Sequence, residues 1–140
     1  MDQQKRIALI ERIKEIGLPD QSGIPLVSLE DFFEGNDDLG SIGCNLMEHP
    51  GIAFFYDQLK AIRDKENVSN VLVGIYEVEE SDNTTWPFSE TVYVATSEDP
   101  ENVFGWFSPL QPDSVGPDMT GAKNLPDIPD GHEICVAWWD

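Results

Sequence analysis

Cys44, His49, His132 and Cys135 are the residues of this sequence best suited by type to ligate a metal or act as nucleophiles. Zinc needs four converging ligands at short, regular spacings. Here neither C-x-x-C nor H-x-x-x-H occurs, so no metal site is expected. Cys44 and His49 have the types of a thiolate–imidazole pair, but a buried thiol beside a helix-capping histidine explains them as well. Gly40-Ser41-Ile42-Gly43 falls short of the G-x-S-x-G elbow. The sequence contains no G-x-x-x-x-G-K-[ST] or G-x-G-x-x-G cradle for nucleotide phosphates. Asn36-Asp37-Asp38 and Asp127-Ile128-Pro129-Asp130-Gly131 lack the alternating carboxylates of a calcium loop. Carboxylate pairs for glycoside hydrolysis depend on separation in space, and Glu79-Glu80 and Asp37-Asp38 read more simply as solvated turns. The sequence therefore predicts no catalytic residue and no cofactor, and it leans towards binding rather than catalysis.

Charge is the strongest signal. Eight Lys and Arg stand against 27 Asp and Glu, a net of −19. Residues 1–65 carry seven bases and 12 acids; residues 66–140 carry Lys123 alone against 15 acids. Nucleic acid and anionic membranes both need a basic footprint, so direct binding to either is not expected. A basic protein is the natural complement of such a surface. The competing explanation is that the acidity only confers solubility.

The elements that would position these groups follow from periodicity and breakers. Residues 2–16 form an amphipathic helix with Leu9, Ile10, Ile13 and Ile16 on one stripe, stopped by Gly17 and Pro19. Residues 24–27 suit a short edge strand because of Pro25. Ser28-Leu29-Glu30-Asp31 is a capping start for a short helix burying Leu29, Phe32 and Phe33. Residues 41–47 read as irregular, with Ile42, Leu46 and Met47 facing inward. Pro50 is placed at the first position of a helix whose stripe is Ile52, Phe55, Tyr56, Leu59 and Ile62. Lys60, Arg63 and Lys65 then complement its C-terminal dipole. Residues 70–77 read as a central strand pairing with 91–96. Ser97-Glu98-Asp99-Pro100 opens a helix, five prolines make 108–131 a long loop, and 133–139 is a last strand. This is an α+β chain: one domain over 1–140, with a mainly antiparallel sheet of about three to five strands and about four helices.

Opposing faces of the last strand must carry Trp138 and Trp139. With Trp86-Pro87-Phe88 and Trp106-Phe107 they supply candidate apolar anchors amid acids. The candidate partner-binding set is Glu77, Glu79, Glu80, Asp82, Glu90, Glu98, Asp99 and Glu101 with Trp86 and Trp106. One alternative is a small-molecule enzyme or ligand-binding domain with a pocket near loop 108–131. Another is an acidic housekeeping interaction module. A charged start without an apolar leader, and no run of about 18 apolar residues, predict a cytoplasmic protein without a membrane span.

The stretch Val27-Ser28-Leu29-Glu30-Asp31-Phe32-Phe33-Glu34-Gly35-Asn36, followed by Ser41-Ile42-Gly43-Cys44-Asn45-Leu46, resembles a group of small acidic bacterial proteins of unassigned function. In size, acidity and α+β layout the chain is also similar to the immunity proteins of polymorphic toxin systems. That likeness implies a stoichiometric protein-binding role against a toxin or nuclease. It transfers no site residue.

Overall fold

The computed structural model describes residues 1–119 and 121–140; Thr120, in the predicted loop 108–131, lies outside them. Among the described residues the fold is α+β, with four α-helices and a five-stranded antiparallel sheet. The helices are α1 (Gln3–Ile16), α2 (Leu29–Phe33), α3 (Ile52–Arg63) and α4 (Pro100–Phe107). The strands are β1 (Leu26–Ser28), β2 (Val68–Gly74), β3 (Thr91–Thr96), β4 (Ser114–Gly116) and β5 (Glu133–Trp138), in the order β1-β2-β3-β5-β4. Pro25 does precede an edge strand, and β3 is the centre of the sheet.

Period-two alternation sorts the sheet residues. Val71, Val73, Val92, Val94, Cys135 and Ala137 face the helices and join Leu9, Ile13, Phe32, Phe55, Leu59, Phe107 and Trp139 in the main core. Leu26, Tyr93 and Val136 face the other way and form a smaller cluster with Leu72, Ile134 and Trp138. The segment after β4 covers this second face. Tyr93 donates to Asp118 at 2.8 Å, and the Asn124 amide both accepts from Leu26 N and donates to Leu26 O. Trp138 and Trp139 thus diverge, and neither is fully exposed.

Local chemistry fixes the ends. Ser28 Oγ accepts from Asp31 N at 3.0 Å, and Asp99 caps α4 with Pro100 at its first position. Gly35 has φ +85°, and a side chain there would meet the Cβ of Asp2 at 2.9 Å. Gly74 ends β2 where any Cβ would lie 2.4 Å from Thr91 Oγ1.

Four expectations need correction. α3 starts at Ile52 behind the cap residue Gly51, so Pro50 precedes the helix instead of opening it. Met47 is fully exposed, because the chain turns outward after the half-buried Leu46. Cys44 is exposed; only Cys135 is buried. The loop 108–131 contains β4, a three-residue strand too short to register as alternation.

Candidate functional site

The acidic stretch after β2 is built around one buried base. Arg6 lies on the same α1 stripe as Leu9, Ile10 and Ile13, and is 4% exposed. Among the described residues its guanidinium bonds only to backbone carbonyls: Nε donates to Thr85 O at 2.7 Å, and Nη2 to Asp82 O, Glu79 O and Glu80 O at 2.8, 3.0 and 3.3 Å. Gln3 donates to Asn83 O at 2.9 Å and Lys14 pairs with Glu80. The stretch whose Glu79-Glu80 reads from sequence as a solvated turn is therefore fastened to α1. Sequence reading missed Arg6. Its place three residues before Leu9 and four before Ile10 was the available signal.

On the outer side of this stretch, Glu77 and Glu79 line a groove of about 290 Å³ with Asp38, Gly40, Thr85, Trp86 and Phe88. The neighbouring Glu79 carboxyl raises the Glu77 pKa above its ordinary value, because a proton between the two acids is favoured over two adjacent negative charges. Two like groups this close leave a concentrated demand for a positive charge. Tyr76, 52% exposed, stands beside Glu77, and its ring meets Phe88 edge-on at 5.8 Å. Leu39, equally exposed, lies between Asp38 and Gly40 in the chain. Neither Tyr76 nor Leu39 was a predicted anchor, because the expected strand 70–77 placed Tyr76 in the sheet. The strand ends at Gly74, and beyond it the chain is held by Tyr76 N to Phe88 O and the Glu77–Phe88 bridge.

Trp86 requires a correction. It is 2% exposed and part of the main core, so it cannot serve as a projecting anchor. Arg6 draws Thr85 inward, Trp86 N donates to Asp38 Oδ2 at 3.1 Å, and the indole follows the backbone into the core.

The remaining candidates divide. Glu80 is engaged by Lys14. Asp82 accepts from the Thr84 hydroxyl and amide, which hold its pKa below the ordinary value. Glu90 is half-buried beside Trp139; burial, and then Asp140, push its carboxyl up. Glu98, Asp99 and Glu101 follow Thr96, at the far end of β3 from Thr91, about 17 Å away at about 3.3 Å per residue. Asp99 accepts from Asn102 N as the α4 cap. Glu98 and the half-buried Trp106 line a second, more open groove of about 610 Å³ with Lys65, Glu66, Asn67, Ser97 and His132. Lys65 Nζ lies 5.1 Å from the Trp106 ring centre. The predicted single acidic face is therefore two surfaces at opposite ends of the sheet.

The two candidate histidines make their hydrogen bonds to other groups than Cys44 and Cys135. His49 Nδ1 accepts from Gly51 N at 2.9 Å and its Nε2 meets Ile42 O at 2.7 Å, which makes it a helix-start clamp. His132 Nδ1 contacts Ser69 Oγ at 3.1 Å. Among the described residues no three His, Cys, Asp or Glu converge as a metal site. A hollow of about 330 Å³ does lie by loop 108–131, walled by Asp113, Ser114, Met119, Trp138 and Asp140, and it includes none of Cys44, His49 or His132. No helix among the described residues is long and apolar enough to cross a membrane.

A family model described as the uncharacterized protein YfbO family matches residues 4–137. The chain is 38% identical over 119 residues to the uncharacterized protein YfbO of Escherichia coli (strain K12), covering 83% of each. No solved structure matches it. With the match running through all four helices and nearly all of the sheet, the chain belongs to the YfbO family.

Proposed function

We propose that this chain is a stoichiometric protein-binding protein, of the inhibitor or immunity kind, that receives a basic partner at the Glu77–Glu79 groove. A toxin or nuclease with a basic substrate channel is the partner class with the matching charge. One observation carries the reading: two carboxyls share one groove, and the exposed Tyr76, next to Glu77 in the chain, meets Phe88 of that groove edge-on. An arginine entering there would replace carboxyl–carboxyl repulsion with charge-assisted hydrogen bonds, and could stack on an aromatic face. Association would be fast and salt-sensitive, because opposite fields steer the encounter and ions screen them.

Amide chemical-shift mapping with an arginine-rich peptide tests this. Shifts concentrated at Tyr76, Glu77, Glu79 and Phe88 are the expected result. Shifts spread over all acidic surfaces would leave only non-specific charge. The hollow by Trp138 and Met119 favours a second reading, a small apolar ligand, which predicts shifts at those two residues with such a probe instead.

A further inference from the structure

We propose that Arg6 is the positioning residue of the acidic surface: its buried guanidinium gathers the carbonyls of Glu79, Glu80, Asp82 and Thr85, and so presents their chain as a fixed, outward-facing acidic edge. Residues 79–84 are all exposed, yet four carbonyls of the 79–85 stretch converge on one side chain that is 4% exposed. With these carbonyls turned towards α1, the side chains of residues 79–84 are left in solvent. Glu79 is thereby set beside Glu77 in the groove.

Geometry demands arginine in this place. Its planar fork offers five N–H donors, and Nε and Nη2 here reach carbonyls on both sides of Asp82, that of Thr85 after it and those of Glu79 and Glu80 before it. A lysine ammonium is a single point with three donors and cannot span them. The positive charge is not spent on a carboxylate: all four partners of Arg6 are backbone oxygens, so the nearby acids keep their own charge for the surface. The Asp82 pKa is lowered chiefly by the Thr84 hydroxyl and amide, and to a lesser degree by the nearby Arg6 charge.

The consequence for partner binding rests on the reading of the Glu77–Glu79 groove as an interaction surface. The positioning role is tested without it. Amide hydrogen exchange of the full chain would be followed for the wild type, Arg6→Gln and Arg6→Lys. The hydrogen-bonded amides of Asp82, Thr84, Thr85 and Trp86 are the reporters. Both variants should raise exchange there by about tenfold or more, while β2 and β3 keep wild-type protection. Wild-type protection of these amides in Arg6→Lys would show that charge alone suffices and would overturn the proposal. Loss of protection throughout the sheet in Arg6→Lys would also overturn it, since Arg6 would then hold the whole fold. An oligoarginine titration of the same samples separates the two ideas. If the wild type gives no groove-specific binding, the functional reading fails, and the exchange data still decide the role of Arg6.

Discussion

The side-chain carboxyls of Glu77 and Glu79 line one acidic groove as close neighbours, and the interaction with Glu79 raises the Glu77 pKa above the usual 4.5. A carboxyl raised on folding binds its proton more tightly in the native state than in the unfolded chain. Ionised Glu77 therefore opposes folding at neutral pH. That opposition is complete above its folded pKa and disappears below 4.5.

Glu77→Gln is expected to raise the melting temperature at pH 7, with the gain shrinking as pH falls through the region just above 4.5. The same substitution should weaken binding of a basic peptide. A gain in stability that accompanies a loss of binding is the mark of a site kept for function. Equal melting curves at pH 7 would mean that the two carboxyls do not interact.

Glu30 and Arg63 carry the opposite sign. Arg63 Nη1 and Nη2 bond to both carboxylate oxygens at 2.9 and 2.8 Å, tying α2 to α3. Hydrogen bonding from Arg63 holds Glu30 below 4.5, so the pair's contribution is full above that value and is lost as pH falls further. Both side chains are partly solvated, which keeps the coupling to about 0.5–1 kcal/mol. A double-mutant cycle of Glu30→Gln and Arg63→Met in denaturant at pH 7 would measure it. A coupling near zero there would show the bidentate geometry to be energetically idle.

The two thiols should behave unlike each other. Cys44 is exposed, whereas burial pushes the Cys135 thiol pKa up within the core. Mass spectrometry after native alkylation should find one adduct, on Cys44, and a second only in denaturant. Native double labelling would contradict the packing of β5.

How much of this could be read from the sequence follows from the range of the interactions. The Ser28 cap, the α1 stripe and the β2–β3 pairing depend on neighbours within one element or one hairpin, and period and capping chemistry disclose them. Glu77 and Glu79 were legible as acids, but not as partners across a groove. Trp86 looked like an anchor because the composition around it is acidic. It is buried beside Thr85, whose carbonyl Arg6 holds from about 80 residues earlier in the chain, and composition carries no trace of that bond. Tyr76 was hidden for the converse reason: β-propensity extended its strand past Gly74, where the Thr91 side chain leaves no room for a Cβ. The division of Glu77 and Glu79 from Glu98 and Glu101 needed strand direction as well as charge.

The most direct test of the central claim compares binding of an arginine-rich peptide, by calorimetry at low and physiological salt, to three proteins. These are the wild type, Glu77→Gln/Glu79→Gln, and Asp127→Asn/Asp130→Asn, which removes the same charge from exposed positions of another loop. One-to-one binding that weakens with salt is expected, reduced by about tenfold or more in the Glu77/Glu79 variant and nearly unchanged in the Asp127/Asp130 variant. Equal weakening in both variants would contradict the claim, because the acidic surface would then act through its total charge and the groove would have no special part.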